Sequence, residues 1–462
     1  MVSARIPRPL RLAATAFVLS LVLSGAAGAS GHAPRSGGFY STETPYAPRH
    51  GARRHERPPR GFTPVFTQLV ARHGSRALTS SHDLEYTKQL IGFARADGGL
   101  TELGARLEPE VLELQAAIEA LGYGNLSGRG AREHRLLAAR LAERMRRVFE
   151  DAAAAGRHVR VVTSGKDRAV DSASNFAASL GTALPQLAPL IDPPVVNADL
   201  LYFFKQPQNA DYQDWLAHDP TLAATLAAIT YGERSHENAR RLLEPLFRPA
   251  VVDKLAAAGY VFHDPKTGAA VSRNEVDAAL SLYEIYRVGP GLVDEVVTHF
   301  EEFVDARAAR WFEYVSDATE FYGKGPSFAG STITFRMAKV LQDDFFAAVE
   351  ALRDAHAEPV AATLRFAHAE TLMPFAALMK LPWSDVQAAE LYTRRSNPWR
   401  GSLVSPYAVN VQWDVYRGRR GELLVKMLYD ERETRFKRDC RSIRRGSSYY
   451  AFDELKRCYG YR

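Results

Sequence analysis

The stretch Thr67-Gln68-Leu69-Val70-Ala71-Arg72-His73-Gly74-Ser75-Arg76 decides how the rest of the chain is read. Residues 64–71 form a mostly apolar run bounded by turn signals, which predicts a buried strand. That strand stops at a charged cluster built around one histidine and one glycine. In open α/β sheets, ligands bind just beyond the carboxyl ends of the strands, so His73 stands at a binding edge. Arg72 and Arg76 flank it, and Gly74 lets the backbone approach a ligand closely. Two guanidiniums beside an imidazole suit a phosphoryl group. Each fork takes two oxygens at once, and the imidazole can attack phosphorus.

The chain carries its own control. Arg49-His50-Gly51-Ala52-Arg53 repeats the pattern with no apolar run ahead of it. Nothing local would hold that copy rigid. It falls in a linker over residues 30–60, rich in Pro, Gly, Ser and Arg and without periodicity, which predicts extended or disordered chain. Context separates the two histidines; the string alone does not.

Ahead of the linker, Arg5, Arg8 and Arg11 precede an apolar run over residues 12–23, followed by the small residues Ala27-Gly28-Ala29. Residues 1–29 therefore read as a Sec-type secretory signal peptide, too short to span a bilayer. They predict a secreted protein, periplasmic, at the cell surface or extracellular. No other segment has the apolar length of a membrane span. Residues 1–60 hold nine arginines, no lysine and two acids, a net of +7 against +6 for the whole chain, so residues 61–462 carry −1. A folded part this close to neutral gives no support to a nucleic-acid partner. The two cysteines, Cys440 and Cys458, lie close together near the C-terminus. In an exported chain this predicts a disulfide that pins the tail.

Beyond the organising strand, residues 101–121 and 130–155 predict amphipathic helices. The second has an apolar stripe of Leu136, Leu137, Leu141, Met145 and Val148 beside an arginine-rich solvated face. Residues 158–163 form a second strand-like run, ending in Ser164-Gly165-Lys166-Asp167-Arg168 and passing into a helix from about Ala169. This repeats the order seen at His73: strand, basic glycine-containing turn, helix. The start of that helix offers backbone N–H groups and a favourable dipole to an anion. From 196 to 332 helical patterns dominate, with long segments at 275–287 and 291–314. This predicts an α-helical cap inserted between two halves of an α/β core, residues 61–195 and 333–462. The aromatic run before Lys205 is a candidate to face the cleft. A third strand-like run, 361–367, ends in His368-Ala369-Glu370, and segments 409–416 and 422–429 predict a β-hairpin. Asn125-Leu126-Ser127 fits a glycosylation sequon.

Three strand-like runs thus stop at His73, Arg168 and His368. If they are parallel neighbours, a nucleophile, three arginines, a second imidazole and one carboxylate meet at one sheet edge. Glu370 makes this a reaction centre, because a departing alkoxide needs a proton and a carboxylic acid supplies one, then activates water.

Here the chain resembles the histidine acid phosphatases, and within them the multiple inositol-polyphosphate phosphatase branch, which includes phytase-like enzymes. The resemblance rests on Arg72-His73-Gly74-Ser75-Arg76, Thr163-Ser164-Gly165-Lys166-Asp167-Arg168 and His368-Ala369-Glu370-Thr371, and extends over nearly all of residues 61–462. The broader family ends in His-Asp; His-Ala-Glu marks the inositol-phosphate branch. The resemblance implies a mostly parallel sheet flanked by helices with a helical insertion. It further implies that His73 forms a phosphohistidine and that Arg72, Arg76, Arg168 and His368 bind the phosphoryl group. Glu370 would donate the proton, with no metal or cofactor. Lys166 and Lys205 are further candidates for substrate phosphates. The wider family often has proline where Leu78 stands, a difference that bears on the loop and not on phosphate contact.

The expected activity is phosphomonoester hydrolysis on phytate and lower inositol phosphates. Two alternatives stay open: a broad acid phosphatase on sugar phosphates or bisphosphoglycerate, and a non-catalytic protein that captures phosphorylated ligands. A cytoplasmic mutase is disfavoured by the leader.

Overall fold

The computed structural model describes residues 38–49, 55–354 and 360–462. The signal peptide and His50 lie outside the described residues. The strands are β1 Thr63–Arg72, β2 His158–Thr163, β3 Val195–Val196, β4 Phe262–His263 and β5 Ala270–Val271. They continue with β6 Val360–Ala367, β7 Asn410–Arg417, β8 Leu423–Tyr429, β9 Arg432–Thr434 and β10 Tyr449–Ala451. One sheet runs β10-β8-β7-β1-β6-β2-β3, with β9 beside β8, while β4 and β5 pair separately. β1 and β2 both lie parallel to β6, and β7 runs antiparallel to β1. The α/β class and the mostly parallel core expected from the sequence are borne out.

β1 is central, so both of its faces are covered. Leu69 and Ala71 pack on one face against Leu141, Phe149, Phe176 and Phe366. Phe66 and Val70 belong to the opposite cluster, with Phe345 and Trp413. The two-residue period of a strand explains the split. Helices α1 His82–Ala96, α2 Glu102–Leu121, α3 Gly128–Arg144, α4 Arg146–Ala155 and α5 Asp167–Ala183 follow in order. The predicted 130–155 helix is therefore two, broken at Met145, whose backbone leaves the helical region. Leu136 is not part of the apolar stripe; it is 52% exposed, whereas Leu137, Leu141 and Val148 are buried. One residue is 100° of helix, enough to turn Leu136 off the buried face.

The segment between β3 and β6 is helical apart from the short β4–β5 pair. The expected helix over 291–314 is absent: Pro290 sits in a 3-10 turn, and the helix Ala306–Lys324 begins only after the Asp305 side chain accepts from the Arg307 and Ala308 amides. Helices α1 and α2, grouped with the core by sequence, pack with this segment instead. Thr101 donates its amide to Leu246, and Ser281 donates to Asp83 at 2.8 Å. The supposed linker also differs from expectation. Ser41, Thr42 and Glu43 form a buried 3-10 turn, and Arg49 pairs with Asp430 at 3.1 Å. Its anchors, Tyr40 and Tyr46 among them, dock one at a time on other elements, so no periodicity announces them. The sequon is likewise absorbed into structure: the Asn125 amide donates to the Leu121 carbonyl, and the Ser127 hydroxyl accepts from Gly130 at the start of α3. Cys440 and Cys458 are joined by a disulfide, with Cα atoms 5.3 Å apart.

Candidate active site

Register places the three motifs on one edge. Arg72 stands opposite Ala367, and Thr163 opposite Phe366, so β1, β6 and β2 stop level with one another. The His73 amide donates to the Ala367 carbonyl at 2.9 Å, and the His73 carbonyl accepts from Ala408 at 3.0 Å. That backbone is fixed on both sides. His73 Nδ1 lies 2.9 Å from the Gly74 carbonyl. A carbonyl only accepts, so Nδ1 carries the hydrogen and Nε2 keeps its lone pair. Burial, then the Arg72 charge, holds the His73 imidazole well below its usual pKa and therefore neutral.

The loop after His73 is gripped from behind. Glu133 on α3 accepts from the Ser75 amide at 2.8 Å, the Ser75 hydroxyl at 2.9 Å and the Tyr46 amide at 3.0 Å. Arg72 donates to the Thr42 and Ser405 carbonyls at 2.5 and 2.6 Å, and its guanidinium lies 4.6 Å over the Tyr407 ring. Glu43 Oε1 is shared, 3.6 Å from Arg72 and 3.3 Å from Arg76. Arg76 and Glu43 also line a polar cavity with Asp83, Glu284 and Arg287.

His368 follows β6 directly and caps the helix Ala369–Met379. Its ring centroid is 5.4 Å from that of His73, and Ser164 Oγ is 2.7 Å from its Nε2. Burial, with the Arg168 charge, lowers its pKa to about 3. Arg168, in the first turn of α5, forms no ion pair among the described residues. Burial and the nearby Arg76 lower its pKa. Nε of Arg72, Arg76 and Arg168 and Nδ1 of His368 are all buried without a hydrogen-bond partner among the described residues. Unpaired buried donors are costly, and the three guanidinium Nε–H groups, with the unpartnered Nδ1 of His368 beside them, make a receptor for an oxyanion next to the His73 imidazole.

Glu370 occupies the first turn of the same helix, with Lys324 Nζ 3.4 Å from its Oε1. Burial raises the Glu370 pKa, but Lys324, then His368 and Arg72, lower it further, so the net direction is below the ordinary carboxylate range. Tyr202 stacks edge-on to His368 at 5.2 Å, and Lys166 Nζ lies 5.2 Å from the Tyr202 ring centroid. Lys205 is exposed at the end of the turn Phe203–Lys205, whereas Lys166 reaches the site through Tyr202. Among the described residues no cluster of three or more His, Cys, Asp or Glu is placed to share a metal ion.

His73, Arg72, Arg76, Arg168, His368 and Glu370 thus lie close together at one sheet edge. Glu43, Glu133, Lys324 and Tyr407 were missed. Each is a lone residue in its own segment, reaching the site from a distant part of the chain.

A family model for the histidine phosphatase superfamily (branch 2) matches residues 65–430. Multiple inositol polyphosphate phosphatase 1 of Homo sapiens is 26% identical over 403 residues, covering 80% of this chain and 74% of its own length. The multiple inositol polyphosphate phosphatase of Bifidobacterium longum has been solved in complex with inositol hexasulfate. It superposes with a TM-score of 0.86 at 32% identity, covering 92% of this chain and 97% of that one. Its phosphate complex matches with a TM-score of 0.87 and the same coverage. With its motifs gathered at one sheet edge, the chain belongs to the histidine phosphatase superfamily (branch 2) and, within it, to the multiple inositol polyphosphate phosphatases.

Proposed function

We propose that the protein is a secreted phosphomonoesterase that hydrolyses phytate and lower inositol polyphosphates through a phosphohistidine, without a metal ion. The observation that carries this reading is the set of buried, unpartnered nitrogens, Nε of Arg72, Arg76 and Arg168 and Nδ1 of His368, beside the free lone pair of His73. Guanidinium forks match the equatorial oxygens of a transferring phosphoryl group and supply the charge that a metal ion would otherwise bring.

In the first step His73 Nε2 bonds to phosphorus while the ester P–O bond breaks, and Glu370 gives its proton to the departing alkoxide. In the second, the Glu370 carboxylate takes a proton from water as the hydroxide attacks phosphorus. The P–N bond breaks, and His73 and inorganic phosphate are released. Inositol polyphosphate as substrate is supported by the B. longum enzyme, whose structure holds inositol hexasulfate. Export is supported by the arginine-flanked leader and by the Cys440–Cys458 bond, which suits an oxidising compartment.

The test is phosphate release from phytate with and without chelator, combined with alkaline quenching of enzyme labelled by its radioactive substrate, followed by peptide mapping at alkaline pH. The expected result is chelator-insensitive release and an acid-labile, base-stable phosphoryl group on His73. His73→Ala should abolish both, and His50→Ala neither. Label on another residue, or full inhibition by chelator, refutes the reading.

A further inference from the structure

Lys324 sits where it works against an acid. It is the last residue of the helix Ala306–Lys324, in the segment between β3 and β6. Its ammonium lies 2.9 Å from Glu320 Oε2, one turn earlier, and 3.4 Å from Glu370 Oε1. Side chains of Lys324 and Glu370 are 22% and 33% exposed, so both are open to whatever enters the cleft. An ammonium beside a carboxylate favours the ionised form. In the free enzyme Glu370 is therefore an anion, yet the first step requires it to hold a proton.

The other groups facing Glu370 do not resolve the conflict in the free enzyme. Arg72 from β1 and Arg168 from α5 add to the positive side, while His368, just ahead of the helix that carries Glu370, is neutral. Glu320 and the distant Glu43 stand on the other, and the phenols of Tyr202 and Tyr212, whose pKa values are raised, stay neutral. A bound phosphoryl group offsets the charge of Arg72 and Arg168, whose donors it takes. Lys324 alone then still opposes protonation.

We infer that Lys324 makes proton donation by Glu370 conditional on a second phosphate of the substrate. A neighbouring phosphate carries more charge than a carboxylate and draws the ammonium off Glu370. Left beside an anionic substrate and without its counter-ion, Glu370 takes up one proton from solvent, which it then gives to the leaving alkoxide. A monophosphate fills the arginine site but leaves Lys324 in place, so its alkoxide departs unaided. Selectivity for polyphosphates follows from the chemistry of the acid as well as from binding. This inference rests on the proposed role of Glu370.

The experiment compares pH profiles of kcat for phytate and for glycerol 2-phosphate, a monophosphate with a similarly poor leaving group. The basic limb of kcat reports the acid in the enzyme–substrate complex. In wild type it should lie at least about one pH unit higher for phytate than for glycerol 2-phosphate, the scale of a neighbouring charge. In Lys324→Met the two limbs should coincide, with the limb for glycerol 2-phosphate moved upward, and Lys324→Arg should restore the gap. Coincident limbs in wild type, or an unchanged gap in Lys324→Met, overturn the inference. So does equal slowing of both substrates with limbs unmoved, which is what a structural role produces. Glu370→Gln separates the two failures: if it leaves the basic limb for phytate in place, the assignment of the acid itself is wrong.

Discussion

Gly74 faces Gly130 so closely that a methyl group on Gly74 would stand 2.5 Å from the Gly130 carbonyl oxygen. The reverse holds too, since a methyl on Gly130 would meet the Ser75 carbonyl at 2.2 Å. Both obstacles are backbone and cannot rotate away. The first turn of α3 is thereby set against the loop that carries His73, and Glu133, one turn on, takes the Ser75 amide.

Gly74→Ala and Gly130→Ala should each destabilise by about 1–3 kcal/mol, the usual cost of overpacking, and phosphatase activity should fall because the loop moves. Gly92→Ala, in exposed helix with nothing within 4 Å, is the control. It should stabilise by about 0.5–1 kcal/mol. Urea midpoints measured on the three variants decide it; a neutral Gly74→Ala would mean that the loop is not clamped.

Glu43 gives a prediction of opposite sign. Its carboxylate offsets part of the charge on Arg72 and Arg76, and burial, which would raise its pKa, is outweighed by Arg76 and Arg72. It therefore stays ionised. Glu43→Gln removes a negative charge beside the proposed phosphate site while keeping an acceptor for the guanidiniums. Inhibition by inorganic phosphate should tighten roughly three- to tenfold, the order expected for one partly screened charge. Weaker inhibition would show that Glu43 holds the arginines in place more than it opposes the anion.

The motifs were legible because each combines a strand, a glycine-containing or helix-starting turn and a charged residue within a few positions. His73, Arg168 and His368 needed only the parallel order β1-β6-β2 to meet. Glu43 and Lys324 had no such local signature. A lone carboxylate in an arginine-rich segment and a lysine at a helix end look like ordinary solvated charges, and only tertiary contacts across about 30 to 46 residues of sequence give them a role. The contacts of α1 and α2 with the helical segment had no sequence signal for a similar reason: an apolar stripe says that a helix is covered, not by what. The absence of a continuous 291–314 helix has a local sign in the sequence, since Gly289, Pro290 and Gly291 stand at its start.

The disulfide should contribute to stability. Cys440 and Cys458 are 18 residues apart, and Cys458 lies in the terminal helix Phe452–Tyr459. In the chain-entropy model a loop of this size is worth roughly 3 kcal/mol. The double variant Cys440→Ser, Cys458→Ser should lower the denaturation midpoint accordingly, and thiol titration of denatured, unreduced wild type should find no free thiol. Two reactive thiols would refute the pairing.

His134 sets a pH dependence of stability. It is fully buried in α3 with its ring centroid 5.5 Å from that of Phe366, and burial lowers its pKa to about 3. In the unfolded chain an ordinary histidine titrates near 6.5. Between about pH 6.5 and 3 the unfolded state thus binds a proton that the folded state refuses, so this contribution is present above pH 6.5 and is lost as pH falls. One proton corresponds to a slope of at most about 1.4 kcal/mol per pH unit. His134→Leu should flatten the stability profile over that window by about this amount. An unchanged slope would mean that His134 finds a proton acceptor in the fold.

Glu370→Gln tests the proposed acid through its leaving group. The amide keeps the size and hydrogen-bonding capacity of the side chain but cannot protonate an alkoxide. General acid catalysis contributes about 10²–10⁴-fold, so single-turnover hydrolysis of phytate should fall by that order. Binding should survive, because the change removes a negative charge near a polyanion. p-Nitrophenyl phosphate has a leaving group that needs little protonation, so its phosphorylation step should fall far less. Burst or single-turnover rates are the ones to compare, since in the proposed mechanism Glu370 also activates water in the second step and steady-state turnover of both substrates would slow there. His368→Ala should behave otherwise, slowing both substrates alike, because in the proposed mechanism His368 binds the phosphoryl group itself. Equal slowing of the two substrates by Glu370→Gln in single turnover would instead move the acid elsewhere. Asp167, exposed in the first turn of α5 beside Arg168, would then be the next carboxylate to test.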